Sequence, residues 1–229
     1  MSAFLMKWKK IAGMVAGVLS VSFTFSALFY AKTLESAQVA GTERNFYFLV
    51  SDYESVEVST QMIGLQGGAG YSLSYKNGEY AAYSVYFSEE ESHTAQSSVA
   101  KIGESAEIVT VTSSPLYLKT PKQKKEAKLI TGAFESLYGC MQVLNGETKR
   151  LERGATQESS KRILQTLSRQ FAFLGKAYAE TVTGYKKVCE NAEKRLLEAT
   201  AGIIYAKDLR YILCELSVAY ANLSKNFSL

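Results

Sequence analysis

Few residues of this chain have the type and spacing to do chemistry. The single histidine, His93, follows the acidic run Glu89-Glu90-Glu91, and one imidazole cannot build a His-based metal cluster. Cys140, Cys189 and Cys214 lie far apart, with no close pair of the kind that chelates zinc. Each sits on or near an apolar stripe, so they read as packed thiols; the other reading bridges two of them and leaves the third free. Gly64, Gly67, Gly68 and Gly70 resemble a phosphate-binding loop only superficially, since no Lys-Ser/Thr pair follows and they precede a strand. They are read as turn glycines. No nucleophile, base and oxyanion donor can be composed from these groups, so the expectation is a binding protein and not an enzyme, with no metal and no cofactor.

The 229 residues are 47% hydrophobic and 21% charged, a composition able to bury a core. A net charge of +4 without a dense Arg cluster gives no indication of nucleic-acid binding. From Ile11 to Ala31 there is no charged residue, the length a helix needs to cross a bilayer, with Lys7, Lys9 and Lys10 before it. That pattern predicts a single-pass transmembrane anchor over 11–31, a cytoplasmic tail over 1–10 and an extracytoplasmic body. A cleaved signal is the competing reading, but Phe29 and Gln38 are too large for the minus-three position of the two candidate cleavage sites.

After a polar spacer over 32–44 the pattern becomes that of an α/β unit. Asn45 to Ser51 is an aromatic and β-favouring strand. Asp52 then offers an N-cap for a helix through Val56, Thr60, Ile63 and Leu65 that stops at Gly67-Gly68. Tyr71 to Tyr75 and Glu79 to Phe87 flank Asn77-Gly78, a dipeptide that accepts the positive φ of a tight hairpin. Ser88 caps a second helix, opened by three acids and running to about Ile102, before a fourth strand from Ala106 to Thr112. The order βαββαβ is a split-βαβ plan. Side chains alternate along a strand, so with helices on one face the other would be open to solvent. Tyr47 and Leu49 would then project opposite to Phe46, Phe48 and Val50, while Ala81, Tyr83 and Val85 project together. An open face carrying Tyr47, Tyr83 and Tyr75 offers flat, polar-rimmed rings that stack on sugars; the competing reading is that these tyrosines merely cover the sheet.

The unit resembles a SPOR (sporulation-related) domain over about 45–112. The resemblance is carried by Phe46-Tyr47-Phe48-Leu49-Val50-Ser51-Asp52-Tyr53, by Tyr80-Ala81-Ala82-Tyr83-Ser84-Val85-Tyr86-Phe87 leading into Ser88-Glu89-Glu90, and by Gly70-Tyr71. It implies peptidoglycan glycan strands as ligand, bound on the exposed sheet face. Positions that are commonly Gln or Arg in that family correspond here to Leu49, Ala81 and Tyr83. The implied glycan-binding set is Tyr47, Leu49, Tyr75, Ala81 and Tyr83.

Pro115 and Pro121, followed by Lys122, Lys124, Lys125 and Lys128, read as a basic linker over 113–128. The remainder, 129–229, is helical in period. Its stripes are Ile130, Phe134, Leu137, Met141 and Leu144; then a heptad-like run from Leu164 to Ala192; then Leu209, Leu213, Leu216, Tyr220, Leu223 and Phe227. Three stripes imply three helices packed as a bundle or against a partner. The expected fold is thus α+β: a transmembrane helix, a split-βαβ domain and an all-α bundle. Two functions fit it. One is a membrane-anchored envelope protein that binds peptidoglycan in division, sporulation or wall organisation. The other is a scaffold that assembles through its α/β and helical parts, by protein partners or self-association, without binding glycan.

Overall fold

The structure, a computed structural model, describes residues 38–41, 43–51, 55–101 and 104–228. The expected tail and span over 1–31 lie outside these residues, and among the described residues no helix is long and apolar enough to cross a membrane. The elements in order are β1 (Gln38–Gly41), β2 (Asn45–Ser51), α1 (Val56–Leu65), β3 (Tyr71–Tyr75), β4 (Gly78–Tyr86), α2 (Glu89–Lys101), β5 (Ala106–Thr112), β6 (Leu116–Leu118), α3 (Pro121–Lys125), α4 (Ala127–Glu152), α5 (Gln157–Ala177), α6 (Tyr185–Thr200) and α7 (Ala206–Lys225).

β2 to β5 form an antiparallel sheet in the order β3-β4-β2-β5, the arrangement of a split-βαβ unit. Local chemistry explains its corners. Ser55 caps α1, its side chain accepting from Val58 N at 3.5 Å, while the expected cap, Asp52, lies outside the described residues. Ser88 Oγ accepts from Glu91 N at the start of α2, where three acids meet the helix dipole. In the hairpin Tyr75 faces Gly78, so the turn residues are Lys76 and Asn77, and the left-handed backbone falls on Lys76 (φ 53°).

The α/β unit and the helical region, expected as separate bodies, pack around a shared core. Phe46, Phe48, Val50, Ala82 and Val85 on one sheet face share a continuous core with Phe134, Leu137, Met141, Leu213 and Tyr220 of the helices. The rings of Phe46 and Phe134 both meet Tyr220 edge-on, at 5.5 and 5.2 Å. At the margin of this core the Arg44 guanidinium grips both Glu135 carboxylate oxygens, at 2.7 and 2.8 Å, and lies 3.8 Å over the Tyr138 ring.

The expected linker is also structured. β6 pairs antiparallel with β1, Leu116 and Leu118 are buried, and Tyr117 N donates to Phe227 O at 3.0 Å. Thr120 and Gln123 then form a capping box around Pro121 at the start of α3. These bonds tie the end of α7 to the strand that leaves the sheet.

The long apolar run from Leu164 to Ala192 belongs to two helices, not one. α5 ends at Ala177, and the chain turns through Gly184, whose φ of 85° suits glycine, before α6 begins. α6 then folds back on α5, and a Cβ at Gly175 would stand 3.0 Å from Cys189 Cβ, so glycine permits the close approach.

Candidate functional site

The face expected to bind glycan is covered. Leu49, Ala81 and Tyr83 pack with Ile63 of α1 beneath Val56, Ala95 and Val99, and Tyr83 is only 8% exposed. Tyr47 and Tyr75 are half-buried, and Tyr75 packs against the core of the other face. The five residues therefore do not form one open surface. A bulge accounts for part of the mismatch. Leu49 pairs with Ser84 and Val50 with Ala82, so Tyr83 is passed over by the ladder. Ala81 and Tyr83 consequently face α1, whereas Val85, expected beside them, turns to the helical core with Ala82.

Glycines let α1 and its following loop seal this face. A Cβ at Gly68 would fall 2.4 Å from Ile63 Cγ2, and one at Gly70 2.6 Å from Thr60 O. Gly68 and Gly70 thus serve close packing, whereas a Cβ at Gly64 or Gly67 would meet nothing within 4 Å.

The histidine lies at the surface and the cysteines in the core. His93 is exposed and faces Glu89 at 3.7 Å. All three cysteines are free and buried. Burial pushes the Cys140 thiol up to about 11 and the Cys189 thiol to about 12, and it raises Cys214 as well. Such thiols hold their protons at neutral pH. Tyr185 is buried and donates to Ala133 O at 2.7 Å, locking α6 to α4. Glu147, also buried, accepts from Ser160 Oγ at 2.5 Å and from Arg150 at 2.7 Å, joining the end of α4 to the first turn of α5.

Two places among the depressions of the described surface bear on function. One, of about 390 Å³, lies between the end of α1, α6 and the start of α7, lined among others by Arg195, Glu198, Lys207, Asp208 and Tyr211. Arg195 on its wall is engaged: it donates to Glu215 at 2.8 Å and lies 4.9 Å over the Tyr211 ring. Tyr71 stacks edge-on against Tyr211 at 5.3 Å, and burial pushes its hydroxyl up to about 12.

The other is a groove along the seam of α4 and α5. Two adjoining hollows of about 440 and 290 Å³ share Val143 and Gln170. Gly139 and Cys140 line it from α4, Thr166 and Leu174 from α5. Phe173, 68% exposed, and Val143, 47% exposed, stand beside it as uncovered apolar side chains. Nothing lies within 4 Å of a Cβ built at Gly139 or Gly146. The sequence reading took only the core stripe of α4 and missed this second one, although Gly132, Gly139 and Gly146 recur at seven-residue spacing with Ser136 and Val143 between them. That spacing keeps them on one side of the helix.

Comparison of the chain with models of known protein families, with curated proteins and with solved structures finds no match.

Proposed function

We propose that the protein is a non-catalytic assembly module that docks an amphipathic helix of a protein partner into the α4/α5 groove. Phe173 carries this reading: a phenyl ring uncovered beside an apolar hollow favours a partner that removes it from water. The opposite wall supports it, because Ser136 and Gly139 have little or no side chain and let a second backbone approach closely. Charge defines the partner further. Arg162, Arg169 and Lys176 follow the seven-residue spacing that puts them on the Phe173 side of α5, and α5 has only Glu158 as an acid. The fitting helix has an apolar seam flanked by Asp and Glu.

Peptidoglycan binding would need a surface other than the expected one, because Leu49, Ala81 and Tyr83 would have to leave their helical cover to meet a sugar. The covered sheet supports the scaffold reading over the glycan reading.

The test is a titration of the full chain with a fluorescent synthetic helix bearing a Leu/Ala seam and Glu flanks. Saturable binding that Phe173→Glu weakens supports the proposal. Binding unaffected by Phe173→Glu, or no binding at all, rejects it.

A further inference from the structure

Among the described residues β5 is an edge strand whose outer backbone is open beyond Ala106. Ser113 N donates inward to Arg44 O at 2.9 Å, so by alternation the N–H and C=O groups of Glu107, Val109 and Val111 point at β2, while those of Ala106, Ile108, Thr110 and Thr112 point away from it. Gln96 Nε2 confirms the outward sense by donating to Ala106 O at 2.7 Å. Among the described residues no hydrogen-bond partner meets the outward groups of Ile108, Thr110 and Thr112.

Among the described residues β5 keeps two protections of an edge, the exposed charge of Glu107 and the Gln96 bond at Ala106 O, and lacks the others. Ala106–Thr112 holds no Pro, Gly, Lys or Arg, and its pairing with β2 runs through every residue without a bulge. The opposite edge, β3, is shorter, and Ser72 and Ser74 are both bonded to the Glu79 carboxylate beside it. On β5 the side chains of Ile108, Val109 and Thr110 are half-buried, leaving apolar area beside the open backbone.

We propose that β5 pairs antiparallel with β5 of a second copy about a two-fold axis at Val109, joining two sheets into one. The register closes on itself. Ala106 meets Thr112 of the other copy and Ile108 meets Thr110, so the outward-pointing residues face one another, and Ile108 and Thr110, whose outward groups are unmet among the described residues, exchange backbone hydrogen bonds. The same register sets Val109 against Val109 and Glu107 against Val111, so no like charges oppose one another. A shift by one residue would set inward-pointing backbone against outward-pointing backbone and lose these bonds. This interface shares no residue with the α4/α5 groove, and either stands if the other fails.

The test is register-specific cross-linking of the full chain, whose native cysteines are all buried. Facing residues of a non-hydrogen-bonded antiparallel pair bring their Cα atoms to about 4.5 Å, within disulfide reach. With copper–phenanthroline as oxidant, Val109→Cys forms a covalent dimer. Glu107→Cys and Val111→Cys each give no covalent dimer alone and cross-link when mixed. Thr110→Pro removes an outward N–H, a change an edge strand tolerates, and abolishes the Val109→Cys dimer while near-native circular dichroism is retained. The proposal is overturned if Val109→Cys gives no dimer, or if all three single variants cross-link alike. It is also overturned if Thr110→Pro folds and leaves the dimer in place. Should Thr110→Pro not fold, the pattern of the three cysteine variants decides alone.

Discussion

Ala69 N donates to the carbonyl oxygen of Tyr83 at 2.7 Å, pinning the loop after α1 to the one residue of β4 that the β2 ladder passes over. The same residue buries its ring against Ile63 and Leu49, so Tyr83 is part of the core. Tyr83→Ala is expected to destabilise the fold by about 3–5 kcal/mol, the range for truncating a buried aromatic. Urea unfolding reads this as a lower midpoint. Retention on purified sacculi, corrected for folded fraction, is expected to be the same for the wild type, Tyr83→Ala and Tyr47→Ala.

Two glycines on neighbouring helices should respond in opposite directions. At Gly175 an added methyl meets Cys189 at 3.0 Å, so Gly175→Ala forces α5 and α6 apart and costs about 1–3 kcal/mol. At Gly139 the space is open, and Gly139→Ala stabilises α4 by up to about 1 kcal/mol through helix propensity. Thermal melts of the two variants give the comparison, and equal shifts of the same sign would contradict it.

The thiols give a pH dependence of known sign. Their folded pKa values are raised above an ordinary value near 9, to about 11 for Cys140 and about 12 for Cys189. Below that ordinary value both folded and unfolded chains keep the protons, and stability is undiminished. As pH rises above about 9 the unfolded chain releases protons that the folded chain still holds, so the thiol contribution lowers stability progressively up to the folded pKa values. Native protein at pH 8 is expected to resist iodoacetamide and to react at all three cysteines once unfolded in guanidinium.

Ser160 holds a buried carboxylate. Removing its hydroxyl by Ser160→Ala leaves Glu147 with Arg150 alone, at a cost of about 1–3 kcal/mol for the unmet acceptor. Glu147→Gln retains an acceptor for Ser160 and is expected to cost less than Ser160→Ala in the same denaturant series.

Much of the α/β unit was legible in the sequence. Asn45–Ser51, Tyr71–Tyr75 and Ala106–Thr112 form strands over the expected residues, because aromatic and β-branched runs stop at strong turn signals. The covered sheet was also legible in principle. Phe46 to Val50 is apolar without interruption, the pattern of a strand buried on both faces, but alternation was read into it. The bulge at Tyr83 could not be read locally, since it is set by the register with Leu49 and Val50 on another strand. Nor was the break between α5 and α6, because Tyr178, Thr181 and Tyr185 continue the helical period across the turn at Gly184. The groove escaped notice because its wall is built from glycines, which contribute no hydrophobic signal.

The role assigned to the groove is tested most directly by amide chemical-shift mapping of the labelled chain titrated with the Glu-flanked helix. Shifts confined to Ser136, Gly139, Val143, Thr166, Gln170 and Phe173 are the expected result. Shifts centred on Tyr47, Tyr75 and the sheet, or none at saturating peptide, would contradict it.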